Sequence, residues 1–280
     1  MSEWRRGVLH HEHELLGASF EASESTGLLG VASYATEPAD PLASTPGALL
    51  ADLTGSAYQL VSGADAEALV SGACAGRPLN VGEVSFGAVL AGDGGVLSVP
   101  LALRTGDEEF VLVDATERGE ALVGWLSFLH GLEGSPFSSA DVRDASDLLV
   151  PLVVAGPASD GVLGDYLSEG ASLPAEGEVA QVRLDAIGAL VAGVPLPGLA
   201  PAYLVLVPPA AARIIWRSLL SFTEVEPVGS RGLRRALSSA LPWAPALEGD
   251  GAARVSRDEL ARWGLVRPQN DYVGARGLSS

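Results

Sequence analysis

The stretch that decides the fold is AGDGGVLSVPLALRTGDEEFVLVDAT, residues 91–116. It opens with the turn sequence GDGG at 92–95, in which glycine reaches positive φ at little steric cost. Two apolar runs follow, at 96–103 and 109–113, and the segment 104–108 between them contains glycine and aspartate. This pattern predicts a β-hairpin with its loop over 104–108.

Directly after this hairpin, the apolar residues change from a strand period to a helical one. The run 117–129 predicts a helix, so a strand that ends near Asp114 leads into a helix start. Backbone N–H groups are unpaired at a helix start, and ligands often bind there. The same pattern also fits a hairpin and a capped helix in a core, and both interpretations stay open.

The order strand, turn, helix occurs again in the second half of the chain. The first copy has a strand at 56–61 and a short helix at 66–71, and the second copy has a strand at 148–154 and a short helix at 160–167. Later, a strand at 202–207 runs into a helix at 210–222, as the hairpin runs into its helix.

The repeated order predicts an α+β protein of two similar lobes, each a mostly antiparallel sheet covered by helices. We expect the first lobe at 1–135 and the second at 147–225. The segment 226–280 is expected to pack back across both lobes.

Composition excludes several classes of function. The 280 residues carry a formal net charge of −18, which argues against nucleic-acid and anionic-membrane partners. All 17 basic residues are arginine, so lysine-based Schiff-base chemistry and a Walker-type phosphate loop are excluded. Cys74 is the single cysteine, which excludes an intrachain disulfide. Without a membrane-spanning run or a signal-peptide core, we expect a cytoplasmic protein.

Three histidines near the N-terminus, His10, His11 and His13, lie beside Glu12 and invite a metal interpretation. Adjacent residues point in different directions on a helix or a strand, so these side chains are poorly spaced to share one ion. We therefore expect no metal site here, and a solvated lead-in segment.

Three arginines, Arg231, Arg234 and Arg235, lie within five positions of one another. In so acidic a chain, such a cluster is either a set of ion pairs with nearby carboxylates or a clamp for a carboxylate or phosphate ligand. The abundance of acidic partners favours ion pairs.

A series of short motifs, taken in chain order, resembles the glycine cleavage T-protein family, the tetrahydrofolate-dependent aminomethyltransferases and their relatives. The resemblance covers nearly the whole chain, and the order and spacing of the motifs are more specific than any one of them. The matching segments are HELLGA at 13–18, VASY at 31–34, LADLT at 50–54, GGVL at 94–97, VDA at 113–115, VAGP at 154–157 and DYVG at 271–274.

The resemblance implies a T-protein-like folate-binding fold, with a tetrahydrofolate pocket between the lobes and Arg231 at its mouth. It places Ser98 and Asp114 at catalytic positions. It implies cofactor-binding roles for Tyr34, Asp52, Tyr203 and Arg231.

The departures from the family pattern bear on function. The family follows its Gly-Gly turn with Asp-Asp, where this chain has Ser98 and Val99, so the catalytic acid is replaced. The family's pterin-side glutamates are replaced in GLAPAYL at 198–204, and its C-terminal barrel domain is expected to be missing. We therefore expect weak pterin affinity, with Arg231 holding the carboxylates of the folate tail.

Two classes of function follow from this resemblance. One is tetrahydrofolate-dependent one-carbon or methyl transfer, by an aminomethyltransferase-like protein or a demethylase subunit with folate or a small methyl donor. The alternative is a non-catalytic folate-binding or assembly subunit of a larger complex, in which a partner protein replaces the missing domain. An unrelated binding module on the same fold is a third interpretation.

Overall fold

A computed structural model describes residues 4–37, 47–196, 200–249 and 251–279. Its strands, in chain order, are β1 (Arg5–Arg6), β2 (Ser19–Ser23), β3 (Leu28–Ser33), β4 (Ala48–Asp52), β5 (Ala57–Ser62), β6 (Val84–Phe86), β7 (Val89–Leu90), β8 (Val96–Ser98), β9 (Leu101–Gly106), β10 (Glu109–Asp114), β11 (Asp141–Asp144), β12 (Val150–Ala155), β13 (Val179–Leu184), β14 (Ile187–Gly193), β15 (Ala202–Val207) and β16 (Val225–Pro227).

The helices are α1 (His10–Leu15), α2 (Ala66–Ala73), α3 (Gly119–Gly131), α4 (Ser159–Gly164), α5 (Pro209–Leu219), α6 (Ser230–Ala240) and α7 (Arg257–Arg262). Single turns of 3-10 helix lie at Ala244–Leu247 and Ala275–Gly277. Among the described residues, these helices are too short or too polar to cross a membrane.

The chain folds into two compact units, and each unit is made of two chain segments. The first unit contains Met1–Ser56 and Ala145–Ala240, and the second contains Ala57–Asp144 and Leu241–Ser280. The main sheet of each unit is mostly antiparallel, which confirms the α+β class expected from the repeated pattern.

The first unit is built on a six-stranded sheet in the order β13-β14-β15-β12-β4-β16, with a separate three-stranded sheet β1-β3-β2. Alternate residues of its central strands, such as Leu152 and Val205, enter one core, as the two-residue period of a strand requires. Trp216 of α5 is the largest fully buried side chain of this core. The helix therefore covers one face of the sheet.

The second unit is built on a five-stranded sheet in the order β11-β5-β10-β9-β6, and β7 pairs with β8 beside it. Its core gathers Leu69 of α2, Leu112 of β10, and Leu122 and Leu126 of α3. In each unit a strand is followed by a short helix, and a later strand next to it in the sheet is followed by a longer helix. This is the duplication that the sequence predicts.

The hairpin is shorter than the apolar run predicts. The run 96–103 is divided into β8 and β9 at Pro100, which has no N–H to donate to a ladder. Strand β8 pairs with β7, and β9 pairs with β10 from Gly106 opposite Glu109, so the turn is at 107–108. The predicted helix at 117–129 begins two residues later, at Gly119.

The compact units differ from the expected lobes at 1–135 and 147–225 and from the segment 226–280. Strand β4 pairs with β12 rather than with the strand that follows it, and β11 pairs with β5. The chain after Ala240 joins the second unit, where Ala253 bridges to Val96. The segment up to Ser56 therefore belongs to the same unit as 145–240, whereas β11 stays in one unit with the strands that directly precede it.

Candidate functional site

Each unit has an aspartate at the end of a sheet strand, followed two residues later by threonine. Asp52 ends β4, and its Oδ1 accepts hydrogen bonds from the Thr54 N–H at 2.9 Å and the Thr54 hydroxyl at 2.8 Å. Asp114 ends β10, and its Oδ1 accepts from the Thr116 N–H at 2.8 Å and the Thr116 hydroxyl at 2.6 Å. The side chain of each aspartate closes the turn that follows its strand, so its orientation is fixed locally.

In the second unit, the structure brings together the two residues predicted to be catalytic. The Ser98 hydroxyl, at the end of β8, donates to Oδ2 of Asp114 at 2.6 Å. Ser98 is 0% exposed and Asp114 is 2% exposed. The Asp114 carboxylate therefore accepts three hydrogen bonds in a site shielded from water, and Ser98 is the partner of the acid rather than a free hydroxyl.

In the first unit, the other aspartate belongs to a buried polar network that includes a predicted tyrosine. His13 Nε2 lies 2.9 Å from Oδ2 of Asp52, and His13 Nδ1 lies 2.7 Å from the Tyr34 hydroxyl. We assign His13 the tautomer with its proton on Nε2. In this tautomer Nε2–H donates to Asp52, and Nδ1 accepts from the Tyr34 hydroxyl. Burial raises the pKa of Tyr34, so the phenol keeps its proton at neutral pH. Tyr34 and Asp52 are thus linked through His13.

Tyr203, also expected to bind the cofactor, lies elsewhere in the first unit on β15. Its hydroxyl donates to Oδ1 of Asp160 in α4 at 2.7 Å, and burial raises the pKa of the phenol. Two residues of the segment 198–204, Gly198 and Leu199, lie outside the described residues.

The arginine cluster lies on α6 and contacts carboxylates of the same unit. Arg234 Nη2 lies 2.9 Å and Arg231 Nε 3.4 Å from the carboxylate of Glu21 in β2. Arg235 lies 3.7 Å from Glu37. These contacts confirm the ion-pair interpretation, and the side chain of Arg231 remains 60% exposed.

The N-terminal histidines lie in a helix, α1. The expectation of a solvated segment here was therefore wrong. His10, Glu12 and His13 of α1 are buried. Glu12 is buried in an ion pair that the sequence does not reveal: Arg217 of α5 donates twice to its carboxylate, at 2.7 and 2.9 Å.

The ring nitrogens of the three histidines point to different partners. His10 and His11 face Glu14 at 3.2 and 3.4 Å, whereas His13 faces Asp52 and Tyr34. Within the described ranges, no group of three or more His, Cys, Asp or Glu side chains is arranged to hold a metal ion. The expectation that no metal binds at these histidines stays a prediction.

Sequence reasoning missed the threonines that hold the two aspartates and the role of His13. One signal was available, because the pattern Asp-x-Thr follows an apolar strand at 52–54 and again at 114–116. The contact of His13 with Asp52 spans 39 positions, and no local pattern indicates it.

A protein-family model described as the GCVT N-terminal domain matches residues 10–234. A comparison with curated proteins finds no match.

The solved structures with a similar fold include the following two. The glycine cleavage system aminomethyltransferase T from Bartonella henselae superposes with a TM-score of 0.68 at 20% identity, over 98% of this chain and 74% of that one. The heterotetrameric sarcosine oxidase from Corynebacterium sp. U-96, in complex with pyrrole 2-carboxylate, gives a TM-score of 0.50 at 19% identity, over 78% of this chain and 94% of that one.

Proposed function

Because the chain belongs to the family of GCVT N-terminal domains, we propose that it acts in tetrahydrofolate-dependent one-carbon or methyl transfer. It would do so as an aminomethyltransferase-like protein or as a demethylase subunit. Support comes from the family and from the fold shared with an aminomethyltransferase.

The observation that carries this proposal is the hydrogen bond between Ser98 and Asp114. The T-protein motif has an acid where this chain has Ser98, and it has asparagine where this chain has Asp114. Here the Ser98 hydroxyl is 2.6 Å from the Asp114 carboxylate, so an acid remains at this position but on another strand. A buried, fixed carboxylate stabilises positive charge that develops beside it, which is the charge type formed when a one-carbon unit leaves an amine.

The described residues fit one part of tetrahydrofolate better than the other. When bound, this cofactor supplies the nitrogen atoms that accept a one-carbon unit. Both carboxylate oxygens of Asp52 and Asp114 already accept hydrogen bonds, so neither aspartate offers a free oxygen to the pterin edge. Arg231 and Arg234 have the charge and geometry that suit the carboxylates of the tail, although both already contact the carboxylate of Glu21. We therefore propose weak tetrahydrofolate binding in which Tyr34 and Tyr203 have supporting roles.

The alternative is a non-catalytic folate-binding or assembly subunit, and one observation favours it. Asp52 and Asp114 are both buried and each accepts three hydrogen bonds, so neither is placed to exchange a proton with a substrate. The sarcosine oxidase that shares the fold is a heterotetramer. By analogy, we propose that a partner protein completes this chain, with folate or a small methyl donor as the ligand.

The two candidates are separated by measuring binding and turnover in the same preparation. Tetrahydrofolate binding is measured by calorimetry, and transfer from aminomethyl and N-methyl donors is measured by the one-carbon folate product. For a transferase, Asp114→Asn is expected to lower turnover by about 10²-fold while binding changes little, and the exposed turn variant Asp107→Asn serves as the control. Binding without turnover in the wild type supports the non-catalytic subunit. Absence of tetrahydrofolate binding contradicts both.

A further inference from the structure

One carboxylate in the first unit sits among donors from two arginines and a hydroxyl. Oε1 of Glu21 accepts from the Ser230 hydroxyl at 2.6 Å and from Arg234 Nη2 at 2.9 Å. Arg231 Nε lies 3.4 Å from Oε2 of the same carboxylate. These three donors all come from α6, whereas Glu21 lies on β2. A carboxylate from a different element is thus held in a cluster of donors.

The same donors could hold a carboxylate that is not part of the chain. Arginine presents several N–H groups in a planar fork that matches the two oxygens of a carboxylate. The side chain of Arg231 is 60% exposed, and those of Arg234 and Glu21 are each 30% exposed. A dissolved carboxylate therefore reaches these donors without opening a core.

Glu21 is ionised before any such ligand arrives. Burial alone raises the pKa of Glu21, but the hydrogen bond from Ser230 and the charges of Arg234 and Arg231 outweigh burial and lower it. At neutral pH the internal carboxylate is therefore charged and holds the arginines. Because Glu21 belongs to the folded chain, it contacts these donors without the loss of translational freedom that a dissolved carboxylate incurs on binding.

We propose that Glu21 is a specificity-determining residue that occupies a carboxylate clamp formed by Ser230, Arg231 and Arg234, and so disfavours ligands that carry several carboxylates. A chain of γ-linked glutamates is such a ligand. Only the identity of the ligand rests on the proposed function, because the tail of a folate is a γ-linked glutamate chain. The ion pair and the carboxylate clamp, the two interpretations of the arginine cluster, then describe one site.

The test uses a fluorescein-labelled γ-linked pentaglutamate and the full chain, with binding measured by fluorescence anisotropy at physiological salt. Glu21→Gln is expected to bind this peptide at least tenfold more tightly than the wild type. Glu24→Gln, three positions along the chain, removes an equal charge and is expected to match the wild type. Adding Arg231→Ala to Glu21→Gln is expected to return the affinity to the wild-type value.

Two results would overturn the proposal. One is equal affinity of the wild type and Glu21→Gln for the peptide. The other is tight binding by the wild type that Arg231→Ala removes, since the clamp would then be open already. If Glu21→Gln does not fold, Glu21→Asp withdraws the carboxylate by one methylene and is expected to give a smaller gain, and no gain there also overturns it.

A parallel titration separates this proposal from the proposed function. Tetrahydrofolate with one glutamate and with five glutamates is titrated into the wild type and Glu21→Gln. We expect tail length to change affinity less than twofold in the wild type and about tenfold in Glu21→Gln. If neither folate binds but the peptide still binds Glu21→Gln, the proposed function fails and the clamp stands. If the folates bind and Glu21→Gln gains nothing from the longer tail or the peptide, the clamp fails alone.

Discussion

In the pair Ser98 and Asp114, the acid lies at a different position from the acid of the T-protein motif. The hydrogen bond between the two side chains keeps this acid next to position 98. The T-protein motif has acids at positions 98 and 99 and an amide at position 114. This chain has a hydroxyl at 98 and the acid at 114, joined at 2.6 Å. Of positions 98 and 114, each arrangement has an acid at one. Acids at both position 98 and position 114 would repel each other, whereas a pair without an acid would have no carboxylate.

This reasoning predicts the effect of restoring the acid at position 98. Ser98→Asp places a second carboxylate against a buried one, which is expected to cost roughly 3 kcal/mol or more of unfolding free energy. Adding Asp114→Asn is expected to recover most of that loss, because the pair then carries one charge again. Urea denaturation measures both, and Ser98→Asn controls for size without charge. Equal stability of Ser98→Asp and Ser98→Asn would contradict the argument.

The residues of the site were predictable where they follow a motif and not where they depend on distant contacts. Ser98 and Asp114 follow from the family resemblance, and the structure adds the contact between them. Tyr34 and Asp52 follow from the same resemblance, but their shared partner His13 lies 21 and 39 positions away. Only the tertiary fold brings those side chains together, so no local spacing in the sequence indicates this network.

Among the elements, the Gly-Gly turn before β8 has a packing role that its sequence does not show. Gly94 has a φ of +82°, and a Cβ there would lie 2.3 Å from the carbonyl carbon of Gly277. Gly92, two residues earlier, has open space around it and no left-handed φ. The backbone of this turn therefore packs directly against the C-terminal residues of the second unit.

The two glycines give a matched prediction. Gly94→Ala is expected to destabilise the second unit, since the left-handed backbone alone costs an L-residue roughly 1–2 kcal/mol and the contact with Gly277 adds to it. Gly92→Ala is expected to change stability little. Hydrogen exchange should show faster exchange over 275–279 in Gly94→Ala only. Equal exchange in both variants would show that the turn does not hold the C-terminal residues.

Helix α1 is held to α5 by an ion pair that depends on pH. The hydrogen bond from Arg217 lowers the pKa of Glu12, and the Arg217 and Arg213 charges lower it further, against an upward effect of burial. Because the pKa of Glu12 is lower in the folded protein than the usual 4.5, the ion pair stabilises the fold fully at pH values above 4.5. This stabilisation is lost as pH falls through the pKa of Glu12 in the folded protein.

We therefore expect Glu12→Gln to be less stable than the wild type at pH 7, with the difference shrinking as pH falls below 4.5. Thermal melts at a series of pH values measure this difference. Glu24→Gln, which removes an exposed carboxylate, is the control and should show little change. A difference between Glu12→Gln and the wild type that stays constant down to acid pH would rule out the ion pair as its source.

In the whole molecule, the sequence predicts the repeated elements but not which strands pair across the two halves of the chain. A helical or alternating period is local, so the strands at 150–155 and 202–207 were identified within two residues. The pairing of Leu152 with Asp52 joins positions in different halves of the chain. Apolar pattern gives no information about such partners, so the lobes expected from the sequence are continuous segments.

The second unit depends on its C-terminal segment through one buried arginine. Arg267 is 6% exposed and donates to the backbone carbonyls of Ser71, Cys74 and Gly76 at the end of α2. Leaving buried carbonyls unpaired costs about 1–3 kcal/mol each.

Arg267→Ala is therefore expected to lower the unfolding free energy by on the order of 3 kcal/mol. Faster hydrogen exchange in α2 is expected to accompany this loss, while α5 of the first unit exchanges as before. Arg262→Ala, an exposed arginine in the same segment, is expected to leave both measurements unchanged. Loss of protection in α5 together with α2 would contradict a role confined to the second unit.

The pairing of β4 with β12, a strand about 100 residues later in the chain, has a consequence for synthesis on the ribosome. A nascent chain that ends at residue 144 holds all five strands of the second unit's sheet, β5, β6, β9, β10 and β11, but lacks β12, the partner that β4 needs. Domains usually fold in order from the N-terminus as they emerge. We therefore expect the sheet in the middle of the chain to form before β4 has its partner β12, so that folding begins in the middle of the sequence and not at its N-terminus.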